Sequence, residues 1–331
     1  MIGGSTSCNE LMQAITNNYS KGEVIYSSLG SQAGINGYEN KSISAGFVSK
    51  ELTSEDFGGR TPKSIKRTSN VSDLVKNPKP NESISISFGK DALLIIYKAP
   101  KWWDSQLDNY LSFYTKSDSD TDWLSKIYKG DMSWEVLAHK IQQKHELKSI
   151  NVPDTSTSFI TYTRESGSGT RDAFSELTKA NNLQKANVAN SNNLMVQGVS
   201  ANYGSIGYIS YSFNNKITKK SGLHAAAIND VVLGNDQLGD RQHIYKIDNM
   251  KGLAIDIDFT NEDAIAGKKG VHYEFTRDFT ILFGPNSKSI NELLIFISWF
   301  INFDSIPFSP NAKKVYDEAG IVPICNIQIW D

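Results

Sequence analysis

The segment from Arg164 to Thr170 contains the residue types that bind an oxyanion. It reads Arg-Glu-Ser-Gly-Ser-Gly-Thr, and an apolar-polar run that predicts a strand ends at Arg164. Beyond it, Ala173, Phe174 and Leu177 recur at helical spacing, so the loop lies at a helix start. Backbone N–H groups there have no intrahelical partner, and the helix dipole favours negative charge. Glycines let the backbone approach a ligand, hydroxyls add donors, and arginine adds a forked cation. These features predict a site for a phosphate-like oxyanion.

Length and composition are those of a globular chain that must capture any anion locally. With 331 residues, of which 39% are hydrophobic and 21% charged, the chain is long enough for two domains. The net charge of −2 gives no general attraction for nucleic acid or anionic membranes, so we expect no nucleic-acid partner. The sequence has no apolar run long enough to cross a membrane. The five histidines show no metal-ligand spacing, so we expect neither a metal nor another cofactor.

Other chemically distinctive side chains are expected to serve packing. Cys8 and Cys325 lie at opposite ends of the chain and cannot form a disulfide framework. They could pair only if the fold brings the two ends together, and two buried free thiols are the favoured alternative. Trp102, Trp103 and Trp134 are predicted to pack rather than to bind a ligand.

The elements that would position the anion loop alternate between strand and helix. Glycine- and serine-rich turns at 3–7 and 30–35 precede possible helix starts, and residues 83–97 give two consecutive strands or one long one. Further strands are predicted at 24–26, 45–48, 206–211 and 279–283, and helices at 9–19, 291–303 and 311–318, with a short helix, glycine stop and turn over 124–134. Residues 214–270 give no clear pattern. This alternation predicts a parallel sheet with helices on both faces, where ligands bind at strand ends that meet helix starts.

Eight segments together resemble the PstS-type phosphate-binding proteins, the substrate-capturing subunits of bacterial phosphate ABC transporters. The segments are 4–7, 30–34, 45–52, 124–134, 164–171, 199–209, 273–277 and 320–324. Segment 164–171 matches the most specific motif of that family nearly letter for letter. Each short motif alone is weak, but all eight follow the family's order along the chain.

The resemblance implies an α/β fold of the two-lobed periplasmic-binding-protein kind, similar to type II. Each lobe would be a mixed, mainly parallel sheet flanked by helices, with the ligand in the cleft between the lobes. Lobe 1 would combine residues 1–90 with 277–331, and lobe 2 would comprise residues 91–276. The chain would cross between lobes near 89–94 and again near 273–279.

The resemblance also implies a set of anion-binding residues. Lobe 1 would contribute Thr6, Ser7, Ser31 and Ser49, and lobe 2 would contribute Arg164, Ser168, Gly169 and Thr170. Several helix starts aimed at one point, with hydroxyls and one arginine, would replace the water of a phosphate ion. Alternatives remain open for some of these residues. The serines and threonine at 5–7 could be helix caps, Arg164 could be a strand-end residue paired with Glu165, and Arg171 could face the cleft or pair with Asp172.

One position departs from some members of the family. They place an aspartate directly after the serine matched by Ser49, where it accepts the proton of phosphate and so excludes sulfate. Here that position is Lys50, with Glu51 next. Either Glu51 takes this role, or selectivity depends on backbone and hydroxyl groups.

The resemblance implies a binding protein rather than an enzyme. It would bind inorganic phosphate outside the cytoplasm, as a periplasmic or lipid-anchored monomer, and deliver it to the membrane permease of an ABC transporter. Any export segment would be absent from this chain. Sulfate or molybdate is an alternative ligand. A phosphate-ester hydrolase using Ser168 is less favoured, since position 166 is serine rather than the glycine of a nucleophile elbow. A surface lipoprotein for adhesion or sensing, with a partner at 101–123 or 214–270, is a third alternative.

Overall fold

The computed structural model describes residues 1–65, 72–76, 79, 81–114, 122–180, 183–234, 243–247, 273–301 and 310–331. The chain forms two compact units. Unit 1 comprises Met1–Asp91, Ser166–Ala173 and Arg277–Asp331, and unit 2 comprises Ala92–Glu165 and Phe174–Thr276. The lobes expected from the sequence remain a prediction. The units differ from them at Asp91 and at 166–173, because both are counted with unit 1.

The N-terminal part of unit 1 alternates short strands with helices. Its elements are β1 (Ile2–Gly4), α1 (Asn9–Asn18), β2 (Tyr26–Ser28), α2 (Ser31–Glu39), β3 (Gly46–Val48), β4 (Pro62–Ile65), α3 (Asp73–Lys76) and the first part of β5 (Ser83–Lys98). A 3-10 helix, Thr6–Cys8, leads directly into α1, and a second one spans Ser54–Phe57. Strand β1 pairs in parallel with both β2 and β3. The ends of these three strands therefore lead into the helix starts on one edge of the sheet.

Glycines let α2 pack directly onto this edge. A Cβ added to Gly34 would lie 2.7 Å from the carbonyl oxygen of Phe47 and 2.8 Å from the Cα of Gly4. Only glycine leaves room for so close an approach between helix and strands. The glycine-rich turns of the sequence are thus required by packing as well as by chain direction.

Unit 2 contains one sheet continued from β5 and a smaller separate sheet. Its elements are α4 (Ser105–Asp108), β6 (Ser112–Phe113), α5 (Trp123–Lys129), α6 (Trp134–His145), β7 (Ile160–Arg164), the later part of α7 (Gly169–Thr178), β8 (Asn187–Ala189), α8 (Asn192–Ala201), β9 (Ser205–Ser210), β10 (His224–Ala225), β11 (Ala227–Ile228), β12 (Val231–Leu233) and β13 (Tyr245–Ile247). Strand β9 pairs antiparallel with β5 and parallel with β7, which pairs parallel with β8. Strands β6, β11, β12 and β13 form the smaller sheet.

The C-terminal segment completes unit 1. It consists of β14 (Thr276–Phe283), α9 (Ile290–Phe300), α10 (Lys313–Ala319) and β15 (Val322–Trp330). Strand β14 pairs antiparallel with β3, and β15 pairs antiparallel with both β4 and β5. The core of unit 1 lies between this sheet and its helices, with Leu11 and Ile15 of α1 packed among Phe88, Phe296 and Phe300.

Most predicted elements are present with shifted ends. The predicted strand 24–26 is observed at Tyr26–Ser28, and the predicted helix 291–303 is observed at Ile290–Phe300. Both units are mixed sheets with helices, which confirms the α/β class. Strand β1 pairs in parallel with β2 and β3, and β7 pairs in parallel with β8 and β9. The pairs β14 with β3, β15 with β5, and β5 with β9 are antiparallel. Much of the unparsed region 214–270, and most of the polar segment 117–122, lie outside the described residues.

Cys8 and Cys325 are thiols rather than a disulfide, and both are buried in the core of unit 1. Burial raises the pKa of the Cys8 thiol to about 12, and a hydrogen bond from Ser5 and the charge of Arg277 offset this only in part. At about pH 8 the thiolate fraction of Cys8 is then only about one in 10,000, and the thiolate is the reactive form. We expect iodoacetamide to leave Cys8 unmodified in the native protein and to modify both cysteines in denaturant, as read by mass spectrometry. Rapid native modification of Cys8 would contradict this description of its surroundings.

Candidate functional site

Three helix starts of unit 1 bring together side chains that are far apart in sequence. They are the 3-10 helix at Thr6, α2 at Ser31 and α7 at Gly169. Serine or threonine hydroxyls occur at or beside each start, and Ser49 directly follows strand β3. We call Ser5, Ser7, Ser31, Ser49, Ser168 and Thr170 the hydroxyl cluster. All six residues are buried, with exposed fractions between 0% and 4%.

Hydrogen bonds connect most of the hydroxyl cluster. The Ser49 hydroxyl lies 2.6 Å from that of Ser5 and 3.4 Å from that of Ser31. The backbone N–H of Ser49 donates to the Ser31 hydroxyl over 3.1 Å. The hydroxyls of Ser7 and Thr170 are also hydrogen-bonded to each other. The predicted residues Ser7, Ser31, Ser49 and Thr170 are therefore brought together within unit 1.

Two glycines let the loop before α7 approach the start of α2. Gly30 and Gly167 have φ angles of 98° and 81°, in the region that favours glycine. A Cβ on Gly30 would lie 2.9 Å from the carbonyl oxygen of Gly167. A Cβ on Gly169 would overlap the hydroxyls of both Ser31 and Ser49. The predicted residue Gly169 thus serves the site by having no side chain, which leaves room for the hydroxyls of Ser31 and Ser49.

The remaining members of the hydroxyl cluster differ in their partners. Among the described residues, the buried Ser168 hydroxyl has no hydrogen-bond partner. Buried polar groups are normally paired, so an unpaired one at a helix start indicates a place for an external acceptor. Ser5 is the N-cap of the 3-10 helix, since its hydroxyl accepts the Ser7 N–H over 3.1 Å. Capping is therefore right for Ser5, which the predicted site omits. Thr6 opens the same helix and is half-buried.

Arg164 ends β7 in unit 2 and is fully buried. Its Nε and Nη2 each donate to the Glu165 carboxylate over 2.9 Å, and Nε also donates to the Ala189 carbonyl over 3.0 Å. Its backbone N–H donates to the Tyr208 hydroxyl over 3.1 Å. The ion pair with Glu165 is present, but full burial distinguishes Arg164 from a surface residue. Its side-chain direction is fixed by the contacts of its guanidinium with Glu165 and Ala189.

The position expected to hold a proton acceptor is occupied by a paired cation. Lys50 donates to Asp56 over 2.7 Å with 16% of its side chain exposed, and Glu51 is exposed. Exposure gives no support to Glu51 as the group that senses the proton of an anion. In the first turn of α7, burial raises the pKa of Asp172, while the charges of Lys50 and Arg171 lower it in part.

A buried ion pair behind Ser49 was missed by the sequence-based prediction. Arg277 and Asp91 form a bridge of 2.8 Å with side-chain exposures of 3% and 0%. Arg277 belongs to segment 273–277 of the family resemblance, but no role was predicted for it. The two residues are separated by 186 positions, so no local pattern could have paired them.

The chemistry available to the hydroxyl cluster is donation to an anion. Three helix starts provide backbone N–H groups and partial positive charge, and six side chains provide hydroxyls. Within the part of the chain that the structure describes, no group of three His, Cys, Asp or Glu side chains is placed to hold a metal. No described helix combines the length and the apolar character needed to span a membrane.

Comparison with known families gives a match over most of the chain. A model of the PBP superfamily domain matches residues 1–302. The chain has no significant match among curated protein sequences. The family match and the fold described above agree with the periplasmic-binding-protein fold expected from the sequence.

Three solved structures are similar in fold over nearly the whole chain. A substrate-binding protein assigned to phosphate ABC transport from Clostridium perfringens, with bound phosphate, is 17% identical, with a TM-score of 0.58 and 98% of each chain covered. An ABC-type phosphate transport receptor from Vibrio cholerae is 19% identical, with a TM-score of 0.56, covering 97% of this chain and 98% of that one. A phosphate binding protein from Stenotrophomonas maltophilia is 12% identical, with a TM-score of 0.56 and coverages of 98% and 90%. At these identities the likeness establishes the fold.

Proposed function

The chain belongs to the PBP superfamily, and on that premise we propose that it binds inorganic phosphate and delivers it to a membrane permease of the ABC type. The observation that carries the proposal is the hydroxyl cluster at three helix starts. A phosphate ion needs many donors to replace its hydration water, and this cluster offers hydroxyls and helix N-termini together. The unpaired, buried hydroxyl of Ser168 supports the same conclusion, because an anion would accept a hydrogen bond from it.

Arg164 is proposed as the cation of this site. Its burial and its fixed direction suit a guanidinium that binds an oxyanion through charge-assisted hydrogen bonds. Glu165 neutralises part of its charge. Such partial neutralisation suits a binding protein, which must also release its ligand.

The proposal places the protein outside the cytoplasm as a binding subunit rather than an enzyme. The similar proteins from Clostridium perfringens and Vibrio cholerae are described as a phosphate ABC transporter substrate-binding protein and a phosphate transport receptor. A hydrolase would need a base beside Ser168, and that residue has no hydrogen-bond partner among the described residues. A monomer without a nucleic-acid partner remains our prediction from the sequence.

Isothermal titration of the purified chain with phosphate and with sulfate tests the proposal. We expect phosphate to bind with a Kd of about 1 μM or tighter, and sulfate at least about tenfold more weakly. Phosphate affinity should follow its ionisation as the pH changes, whereas sulfate affinity should not. Equal affinity for the two ions would favour a general oxyanion-binding protein. No heat with phosphate at any pH would refute the proposal.

A further inference from the structure

The buried ion pair of Asp91 and Arg277 lies directly behind the hydroxyl cluster. Arg277 donates to one oxygen of Asp91 from Nε over 3.1 Å and from Nη2 over 2.8 Å. Its Nη1 lies 3.5 Å from the backbone carbonyl oxygen of Ser49. Both residues lie in unit 1, as does Ser49. The guanidinium therefore lies between the carboxylate and the residue that joins two serines of the cluster.

The orientation of the Arg277 guanidinium gives the ion pair a defined polarity. Two nitrogens of Arg277 face Asp91 and the third faces Ser49, so the positive end of the pair points to the hydroxyl cluster. The thiol of Cys8 senses both charges from the helical turn that follows Ser7. Arg277 lowers the Cys8 pKa and Asp91 raises it, both against a larger effect of burial. Both charges of the pair therefore act at the residue that follows Ser7 of the hydroxyl cluster.

Stability alone is a weak reason to bury such a pair. The cost of removing two charges from water offsets most of their attraction, and apolar side chains of similar size often serve as well. A charge that acts on a bound ion gives the pair a use that apolar residues could not supply. In a dry environment, such a charge acts without direct contact, because little solvent screens it.

We propose that Arg277 is a positioning residue of the oxyanion site, which holds the Ser49 backbone and directs a positive potential at the bound anion, and that Asp91 limits this potential. The inference rests on the proposed phosphate binding. It states that Asp91 and Arg277, which lie behind the hydroxyl cluster, help to set the affinity for the anion. Arg277 would therefore act as a second cation, with an effect opposite in sign to that of Asp91.

The sign of two single substitutions tests the inference. Asp91→Asn removes the negative end of the pair and keeps its size, so phosphate should bind about fivefold more tightly. Arg277→Gln leaves Asp91 uncompensated, so phosphate should bind at least about tenfold more weakly. A merely structural role predicts that both substitutions weaken binding. The tightening by Asp91→Asn should be larger above the second ionisation of phosphate than below it, since the dianion responds more to a nearby charge.

Two further variants separate charge from shape. Arg277→Lys keeps the positive charge but loses the planar guanidinium. We expect this variant to bind phosphate within about threefold of the wild-type affinity. The double variant Asp91→Asn with Arg277→Gln has no net charge at the pair, so it should bind more tightly than Arg277→Gln alone. A double variant that binds no more tightly than Arg277→Gln would overturn the inference. If circular dichroism shows that Asp91→Asn does not fold, the comparison of the double variant with Arg277→Gln still tests the inference.

The controls distinguish failure of this inference from failure of the proposed function. Wild-type protein that binds no phosphate refutes the function. Wild-type protein that binds phosphate, together with a folded Asp91→Asn variant that binds it more weakly, refutes only the role given to the ion pair.

Discussion

Gly169→Ala is expected to lower phosphate affinity by at least about 100-fold, a loss of ~2.8 kcal/mol. The added Cβ would overlap the hydroxyls of Ser31 and Ser49 and would lie 3.1 Å from the Cβ of Ser31. Each serine can relieve the overlap by rotating about χ1, so the fold can adjust at modest cost. That rotation turns two donors of the hydroxyl cluster away from the anion. Isothermal titration with phosphate should show the loss of affinity.

Gly22→Ala is the matched control for this substitution. A Cβ on Gly22 meets only Tyr19, at an ordinary contact distance of 3.8 Å, so affinity should stay at the wild-type value. Thermal unfolding of Gly22→Ala should match the wild type, whereas Gly169→Ala should fold with a lower midpoint, since it loses hydrogen bonds of Ser31 and Ser49. A folded Gly169→Ala protein that binds phosphate as the wild type does would contradict the proposed site.

Arg164→Met is expected to lower phosphate affinity by at least about tenfold, or ~1.4 kcal/mol. The substitution removes the buried guanidinium and leaves Glu165 without its partner. The exposed fraction of Glu165 is 27%, so water can hydrate its charge in part. The proposed site would then lose its cation and gain the repulsion of an unpaired carboxylate. Titration with phosphate at low and at moderate ionic strength would measure the loss of the cation and the repulsion by Glu165.

Arg60→Met provides the corresponding control. Arg60 also pairs with a glutamate, Glu39, over 2.6 Å, and it lines a groove of unit 1 with a volume of about 550 Å³. The same chemical change there should leave phosphate affinity unaltered. Equal losses from Arg60→Met and Arg164→Met would mean that general electrostatics, rather than a specific site, controls binding.

Local features of the sequence account for the helix starts and for much of the site. Glycine and serine before 31 and before 169 indicated that those turns lead into helices, because they supply special backbone angles and capping groups. Ser49 came from the family resemblance, since nothing in its own neighbours identifies it. Its contacts with Ser5 and Ser31 depend on parallel strands meeting at one edge, which an isolated segment cannot encode.

What the sequence left open or missed has the same cause. Residues 83–97 permitted two strands because Gly89, Lys90 and Asp91 interrupt the apolar pattern. The chain stays extended as β5, and glycine is needed there because a Cβ on Gly89 would lie 2.7 Å from the side chain of Ile321. The partnership of Asp91 with Arg277 also depends on where distant strands lie. Such long-range contacts have no signature in a single sequence.

The hydrogen bond between Ser7 and Thr170 has a consequence for the order of folding. It joins residues 163 positions apart, and unit 1 is complete only after Arg277–Asp331 has also returned to it. Closing loops of this length costs entropy before any contact forms, so the hydroxyl cluster should be among the last features to assemble. Recovery of phosphate affinity after dilution from denaturant would then report the completion of folding. Phosphate itself, by binding only the finished fold, would shift that equilibrium toward the native state.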